Sequence, residues 1–157
     1  MRVRAKSVAD QAWVDQVLME RWGDRQIVVH GQTFDAGSLP ALIAGEREGL
    51  ATYVLDESGL SAELVTLDAL VPRKGIGTAL IGALIALLRE GGFRMLRVTT
   101  TNDNLSALRF YQLRDFRLVA VRPGAVDEAR KLKPLIPLLG NDRIPLRDEI
   151  ELVYSIK

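Results

Sequence analysis

A strongly apolar helix between two strand-like segments constrains this chain more than any other feature of its sequence. From residue 76 to residue 89 the apolar residues recur at the spacing of one helical face. They are Ile76, Leu80, Leu84, Leu87 and Leu88, and Ile81 and Ile85 widen the stripe. We therefore expect this helix to be buried on more than one side and to end at Gly91 and Gly92.

The segments around this helix predict a mixed sheet. "AELVTLDALV" before it and "FRMLRVTT" after it are strand-like, and "ALIAGEREGLATYVLDESG" is typical of a hairpin. Further helices are predicted in "SVADQAWVDQVLMERWG", from Ser7 to Gly23, and in "NLSALRFYQLRD". Later strands are predicted in "FRLVAVRPG" and "DEIELVYSI". This order predicts a mixed β-sheet flanked by helices, an α/β (α+β) domain.

Composition narrows the class of protein. The 157 residues, 48% of them hydrophobic, are enough for the sizeable core of a single domain over residues 1–157. The chain has no cysteine, which excludes thiolate sites. It has a single histidine, His30, which argues against any metal site. A net charge of +1 gives no electrostatic footprint for nucleic acid. Without a membrane-spanning run or an apolar signal region, we expect a cytoplasmic protein that has no membrane partner.

The segment "VPRKGIGTAL", residues 71–80, joins the central strand to the apolar helix. A Walker loop is excluded because Lys74 precedes the glycines instead of following them. A dinucleotide fingerprint is excluded because Leu80 stands where a third small residue is needed. Two interpretations remain: a plain turn, or a helix N-terminus whose main-chain amides bind a phosphate between Gly75 and Gly77.

A second segment, "TTNDNLSALRFYQLRDF", places Asn104 and Tyr111 on one face of a helix, because seven residues make almost two turns. The small Ala107 lies between them and leaves that face open to a ligand. The alternative is that Tyr111 is a core residue with its hydroxyl at the rim.

Taken together, the two segments resemble the GNAT acyltransferase superfamily over about residues 48–122. Gly75 and Gly77 match the family pattern Gln/Arg-x-x-Gly-x-Gly/Ala, and Asn104, Ala107, Tyr111 and Phe116 match the later helix. Pro72 departs from the Gln/Arg position, and its lack of an amide removes one potential phosphate contact. Asp115 departs where family members usually carry a glycine in a turn.

The resemblance implies a GNAT-like fold and an N-acetyltransferase that uses acetyl-CoA as co-substrate and needs no metal. It places the pyrophosphate on the main chain of Arg73, Lys74, Gly75, Ile76, Gly77 and Thr78. The pantetheine arm would pair with the main chain of Val65, Thr66 and Leu67, and Asn104 would help to fix it. Tyr111 would protonate the departing thiolate, for which a phenol with a pKa of about 10 is suited.

The base that receives the proton of the acceptor amine is less constrained. Glu63 is our first candidate because it lies on the strand that leads to the cofactor, and Asp68, Asp148 and Glu149 are alternatives. The other interpretation of each of these carboxylates is a solvated surface charge. The position most often used in the family falls near Ser61. His30 lies where the family places one wall of the acceptor pocket, and we interpret it as structural. The long connection over residues 125–146 is expected to cover the acceptor site, or to form a dimer contact.

The acceptor is expected to be a small-molecule or peptide amine. A homodimer is expected because the final strand has free edge groups. Two other functions stay open: an acyl-CoA-binding regulatory module without turnover, and an interaction domain with a decayed cleft.

Overall fold

Nine strands and four α-helices follow one another in the computed structural model, which describes residues 1–157. The strands are Val3–Ala5 (β1), Gln26–Val29 (β2), Gln32–Asp35 (β3), Ala41–Ala44 (β4), Gly49–Leu55 (β5), Ser61–Ala69 (β6), Met95–Thr101 (β7), Arg117–Arg122 (β8) and Glu149–Ser155 (β9). The helices are Gln11–Trp22 (α1), Ile76–Glu90 (α2), Leu105–Gln112 (α3) and Ala125–Leu132 (α4). Seven strands form a mixed sheet in the order β1-β4-β5-β6-β7-β9-β8, and β2 pairs with β3. The predicted α/β class is confirmed.

The chain divides into two compact units. The first holds residues 1–27, 34–96 and 156–157, and the second holds residues 28–33 and 97–155. The single domain expected over residues 1–157 stays a prediction. None of the helices combines the length and the apolar character needed to cross a bilayer.

The core of the first unit lies against α1. Val14, Val17 and Leu18 on this helix pack against buried side chains of β4, β5 and β6, among them Ile43 and Leu50. The predicted helix begins at Gln11, because Val8–Asp10 form a 3-10 turn, and it ends at the left-handed Gly23 as expected. The predicted hairpin is also confirmed, since β4 and β5 pair antiparallel across the turn at residues 45–48.

Helix α2 is buried as its sequence predicts, with one exception. Its buried residues are Ile76, Leu80, Ile81, Leu84, Ile85 and Leu88. Leu87 is 41% exposed, so it does not belong to the packed stripe. Gly49 allows β5 to approach the first turn of α2, because a Cβ there would overlap the Ile76 side chain and lie 3.1 Å from Leu80 Cδ1.

The final strand of the second unit is not at the sheet edge. Strand β9 lies between β7 and β8, and it pairs antiparallel with β8. The expectation of free edge groups on the final strand is therefore wrong, and with it the argument for a homodimer. The outer strand is β8.

The long connection contains α4 and then a segment tied to the end of β7. The buried carboxylate of Asp103 accepts hydrogen bonds from the main-chain N–H of Asn141 at 2.8 Å and from Asn141 Nδ2 at 3.1 Å. Asn102 Oδ1 accepts the N–H groups of Arg147 and Asp148, both at 3.0 Å. These contacts fix the approach of the chain to β9.

Asp115 adopts the left-handed conformation with φ +68°, immediately before Phe116. A residue with a Cβ pays a steric penalty in this region that glycine avoids. We expect Asp115→Gly to stabilise the protein by about 1 kcal/mol, which raises the Tm of a chain of this length by about 2–4 °C. Thermal unfolding followed by circular dichroism measures the shift. An unchanged or lower Tm would show that a contact of the aspartate side chain, or the larger unfolded-state entropy of glycine, offsets the strain.

Candidate active site

The loop between β6 and α2 has the local structure of an anion site. Gly75 is the N-cap of α2 with φ +68°, and Arg73 is also left-handed with φ +63°. The first hydrogen bond of the helix runs from the N–H of Ala79 to the carbonyl of Gly75 at 2.9 Å. The amides of Ile76 and Gly77 come before this bond, so they have no partner within the helix. They lie at the positive end of the helix dipole.

Lys74 is engaged in an ion pair at this loop. Its Nζ lies 2.9 Å from Glu48 Oε2 in the turn between β4 and β5, and the ammonium group lowers the pKa of the Glu48 carboxyl. The charge that Lys74 could offer a phosphate is therefore partly neutralised. The loop's remaining positive contributions come from Arg73 and the helix dipole, while Pro72 contributes no amide.

A β-bulge interrupts the pairing of β5 with β6 at Val65. Thr52 faces Thr66 and Tyr53 faces Leu64, so Val65 is the extra residue on β6. An extra residue of this kind is left out of the ladder and bends its strand. The neighbouring Thr66 side chain bonds to Thr52, with the two Oγ1 atoms 2.6 Å apart. The main chain expected to bind the pantetheine arm thus includes the one irregular position of this strand pair.

Two candidate bases lie on β6. Glu63 is buried and faces Val54, which packs against the α1 core, so Glu63 projects from the α1 side of the strand pair. Asp68 is also buried, and Trp22 on α1 donates its indole N–H to Asp68 Oδ2 at 2.9 Å. Burial raises the pKa of Asp68, and the Trp22 hydrogen bond opposes that shift.

Asn104 and Tyr111 both belong to helix α3 of the second unit. Asn104 is its N-cap, and its Oδ1 accepts the N–H of Ala107 at 3.0 Å. The cap uses the oxygen, so a ligand would meet the amide nitrogen of this side chain. Tyr111 is 6% exposed and lies between the rings of Phe110 and Phe116, with centroids 5.3 and 5.2 Å away. Packing on both sides fixes the phenol ring.

A pocket of about 430 Å³ in the second unit includes His30 and Glu149. The main-chain N–H of His30 donates to Glu149 Oε1 and Oε2 at 3.0 and 3.2 Å, and Arg122 Nε lies 3.1 Å from Glu149 Oε1. Burial acts to lower the pKa of Arg122, but the carboxylates of Glu151 and Glu149 outweigh it and raise that pKa. Asp148, another candidate base, accepts the N–H of Gly124 at 2.8 Å, at the start of α4.

Sequence reasoning missed Arg122. The strand register sets Arg122 directly opposite Glu149, and its guanidinium also donates to Glu151 at 2.9 Å and to Thr99 at 3.0 Å. The sequence contained a signal for this pairing: acidic residues alternate along β9, and an arginine ends β8.

The comparisons with known proteins identify the family and the fold of this chain. Residues 43–116 match the model of the acetyltransferase (GNAT) family. The uncharacterised protein YxbD of Bacillus subtilis (strain 168) is 36% identical over 148 residues, 92% of each chain. The IAA acetyltransferase from Bacillus cereus has a similar fold, with a TM-score of 0.72 at 17% identity over 98% of this chain and 99% of that one. A GNAT acetyltransferase from Elizabethkingia anophelis, with acetyl-CoA bound, has a TM-score of 0.69 at 14% identity. The match covers 98% of this chain and 97% of that one.

A matching family model, a relative that aligns over nearly the whole chain, and a shared fold therefore lead to one assignment. This chain belongs to the GNAT acetyltransferase family.

Proposed function

We propose that this protein transfers the acetyl group of acetyl-CoA to the amine of an acceptor by direct attack. The observation that supports the proposal is a strand bulge at Val65 that is followed by a left-handed helix cap at Gly75. The family to which the chain belongs connects this arrangement with acetyl transfer. The similar fold of the Elizabethkingia anophelis protein, which has acetyl-CoA bound, supports the choice of cofactor.

The cofactor roles follow the family resemblance. The pyrophosphate would lie on the amides of the loop from Arg73 to Thr78, where the helix dipole favours negative charge. The pantetheine arm would bond to the main chain from Val65 to Leu67, and the amide nitrogen of Asn104 would help to hold it.

The chemistry needs one base and one acid. The acceptor nitrogen attacks the thioester carbon, Glu63 receives the proton that the nitrogen loses, and the carbon–sulfur bond breaks. Tyr111 gives its phenolic proton to the departing thiolate, so that an amide and free coenzyme A leave. Holding both reactants in one geometry removes much of the entropy cost of the reaction.

The loop can be tested through Gly75. Alanine in this left-handed position would place a Cβ where no protein atom lies within 4 Å, in the space assigned to the pyrophosphate. We expect Gly75→Ala to weaken acetyl-CoA binding at least tenfold, or about 1.4 kcal/mol. Isothermal titration calorimetry measures the affinity.

The matched control is Gly92→Ala at the other end of α2. Gly92 has φ +80° and equally open surroundings, so both variants carry the same backbone strain. If the two variants lost affinity equally, the loss would come from strain and the loop would not be the phosphate site.

Acetyl transfer is tested by thiol release from acetyl-CoA with a panel of amines and matched alcohols. We expect amine-dependent release. Tight acetyl-CoA binding without release for any amine would favour the acyl-CoA-binding regulatory module instead.

A further inference from the structure

The pocket beside Glu149 carries information about the acceptor that the family assignment does not. Its walls are the β2–β3 turn, the end of β8, helix α4 and the start of β9. All of these lining residues belong to the second unit. A volume of about 430 Å³ lies in the lower half of the range for small-molecule sites, roughly 300–1,000 Å³.

The surface of the wall is mostly apolar, and helix α4 contributes small side chains to it. Helix α4 contributes Ala125 and Ala129, four residues apart and therefore on one face, and Leu132 follows. Val28 lines the pocket from the β2 side. The part of the acceptor that fills this space gains affinity through burial of its apolar surface. A strongly polar group in the same place gains no such affinity.

The anionic group in the wall is Glu149, which is only 4% exposed. Its Oε1 accepts from His30 N–H and Arg122 Nε, at 3.0 and 3.1 Å. Its Oε2 accepts only the longer branch of the His30 bond, at 3.2 Å. A carboxylate oxygen has room for more than one donor, so Oε2 retains capacity for an ammonium group.

The arginine and the lysine of the wall already have carboxylate partners in the protein. Arg122 uses Nε for Glu149, Nη1 for Glu151 and Nη2 for Thr99. Lys131 bonds both carboxylate oxygens of Glu128 at 3.0 Å, and both of these side chains are 71% exposed. Arg122 and Lys131 thus face three carboxylates of the protein, those of Glu128, Glu149 and Glu151, and this excess of negative charge disfavours an acidic group on the acceptor.

From this inventory we infer that the pocket takes a primary amine with a compact apolar body and no carboxylate or phosphate, its ammonium group on Glu149 Oε2. The inference rests on the proposed function for its chemical outcome, but not for binding: Glu149 holds the ammonium form of the acceptor, whereas the proposed function assigns the later loss of its proton to Glu63. It disfavours free amino acids, because their carboxylate would meet this excess of negative charge, and it disfavours polyamines, because their second charge would meet the apolar wall.

The test compares 3-methylbutylamine with L-leucine, which has the same body plus a carboxylate, and with 1,4-diaminobutane. Binding to the whole protein is measured by calorimetry with and without coenzyme A, and thiol release is measured with acetyl-CoA. We expect 3-methylbutylamine to bind at least tenfold more tightly than either competitor. Equal or tighter binding of L-leucine or the diamine, or no binding of 3-methylbutylamine, would overturn the inference.

Two variants assign the binding to this pocket. Ala125→Phe fills the space, and Glu149→Gln removes the charge while keeping the shape. Each variant should lower the affinity for 3-methylbutylamine at least tenfold. Ala86→Phe, the same change at an exposed alanine of α2, should keep this affinity within twofold of the wild type. Undiminished binding in folded Ala125→Phe and Glu149→Gln variants, checked by their Tm, would contradict the assignment.

The two proposals fail in different ways. Binding of 3-methylbutylamine without thiol release would leave the pocket assignment standing and remove acetyl transfer. Thiol release that prefers L-leucine would leave acetyl transfer standing and remove the apolar-amine inference.

Discussion

Replacing Tyr111 with phenylalanine is expected to lower kcat about 100-fold or more and to leave the affinity for acetyl-CoA within twofold. General acid catalysis contributes on the order of 10²–10⁴-fold, and the variant removes only the proton donor. The ring itself stays packed between Phe110 and Phe116. Steady-state thiol release gives kcat, and calorimetry gives the affinity.

Tyr154→Phe is the matched control for this prediction. Tyr154 packs against Phe116 at 5.5 Å, so the control removes the same hydroxyl group from the same aromatic cluster. We expect its kcat to stay within twofold of the wild type. An unchanged rate in Tyr111→Phe would show that the phenol is not the acid, and equal losses in both variants would show that the hydroxyls act on the packing.

Replacing Glu63 with glutamine should lower kcat/KM about 100-fold at neutral pH, because glutamine keeps the shape and hydrogen-bonding reach of the side chain but accepts no proton. Glu63 is 6% exposed, so its replacement changes a buried group and not a surface charge. The measurement is thiol release with one amine across a range of pH. A loss that shrinks as the pH rises, where the free amine is already deprotonated, would support the role of base.

Asp68→Asn is the control for Glu63, since it alters another buried carboxylate of the same strand. Asparagine Oδ1 can keep the hydrogen bond from the Trp22 indole. We expect kcat/KM to stay within threefold. A large loss in Asp68→Asn together with an unaffected Glu63→Gln would transfer the role of base to Asp68.

The sequence was most informative where local chemistry decides the structure. Helix α2 could be predicted because its apolar residues are dense and periodic. The turn at Gly75 could be predicted because its conformation depends only on adjacent residues. Asp115 was identified as a turn position by the family resemblance, and its left-handed backbone confirms the turn. These features depend on residues that are close together in the chain.

The features that were missed depend on pairings between distant segments. The bulge at Val65 exists only in the register of β6 against β5, and Arg122 meets Glu149 across 27 positions of sequence. The β2–β3 hairpin was missed because its strands have only four residues each. Its two-residue turn, His30 and Gly31, has a left-handed backbone that is typical of hairpins. The position of β9 inside the sheet likewise follows from topology and not from its own alternating pattern.

The long connection shows the same limit. Its length predicted a functional role, but its course is fixed by Asn102 and Asp103 at the end of β7. These two residues lie in the segment that carried the family resemblance, and nothing in their spacing indicated that they hold residues 141–148. Whether this connection covers the acceptor site stays a prediction, tested by the pocket variant Ala125→Phe on α4.

The most direct measurement is a calorimetric titration of the purified protein with acetyl-CoA. We predict saturable binding at one molecule per chain, weakened at least tenfold in Gly75→Ala and not in Gly92→Ala. The absence of both binding heat and any shift in Tm would contradict the proposal, and the chain would then share the fold of its family without its cofactor site.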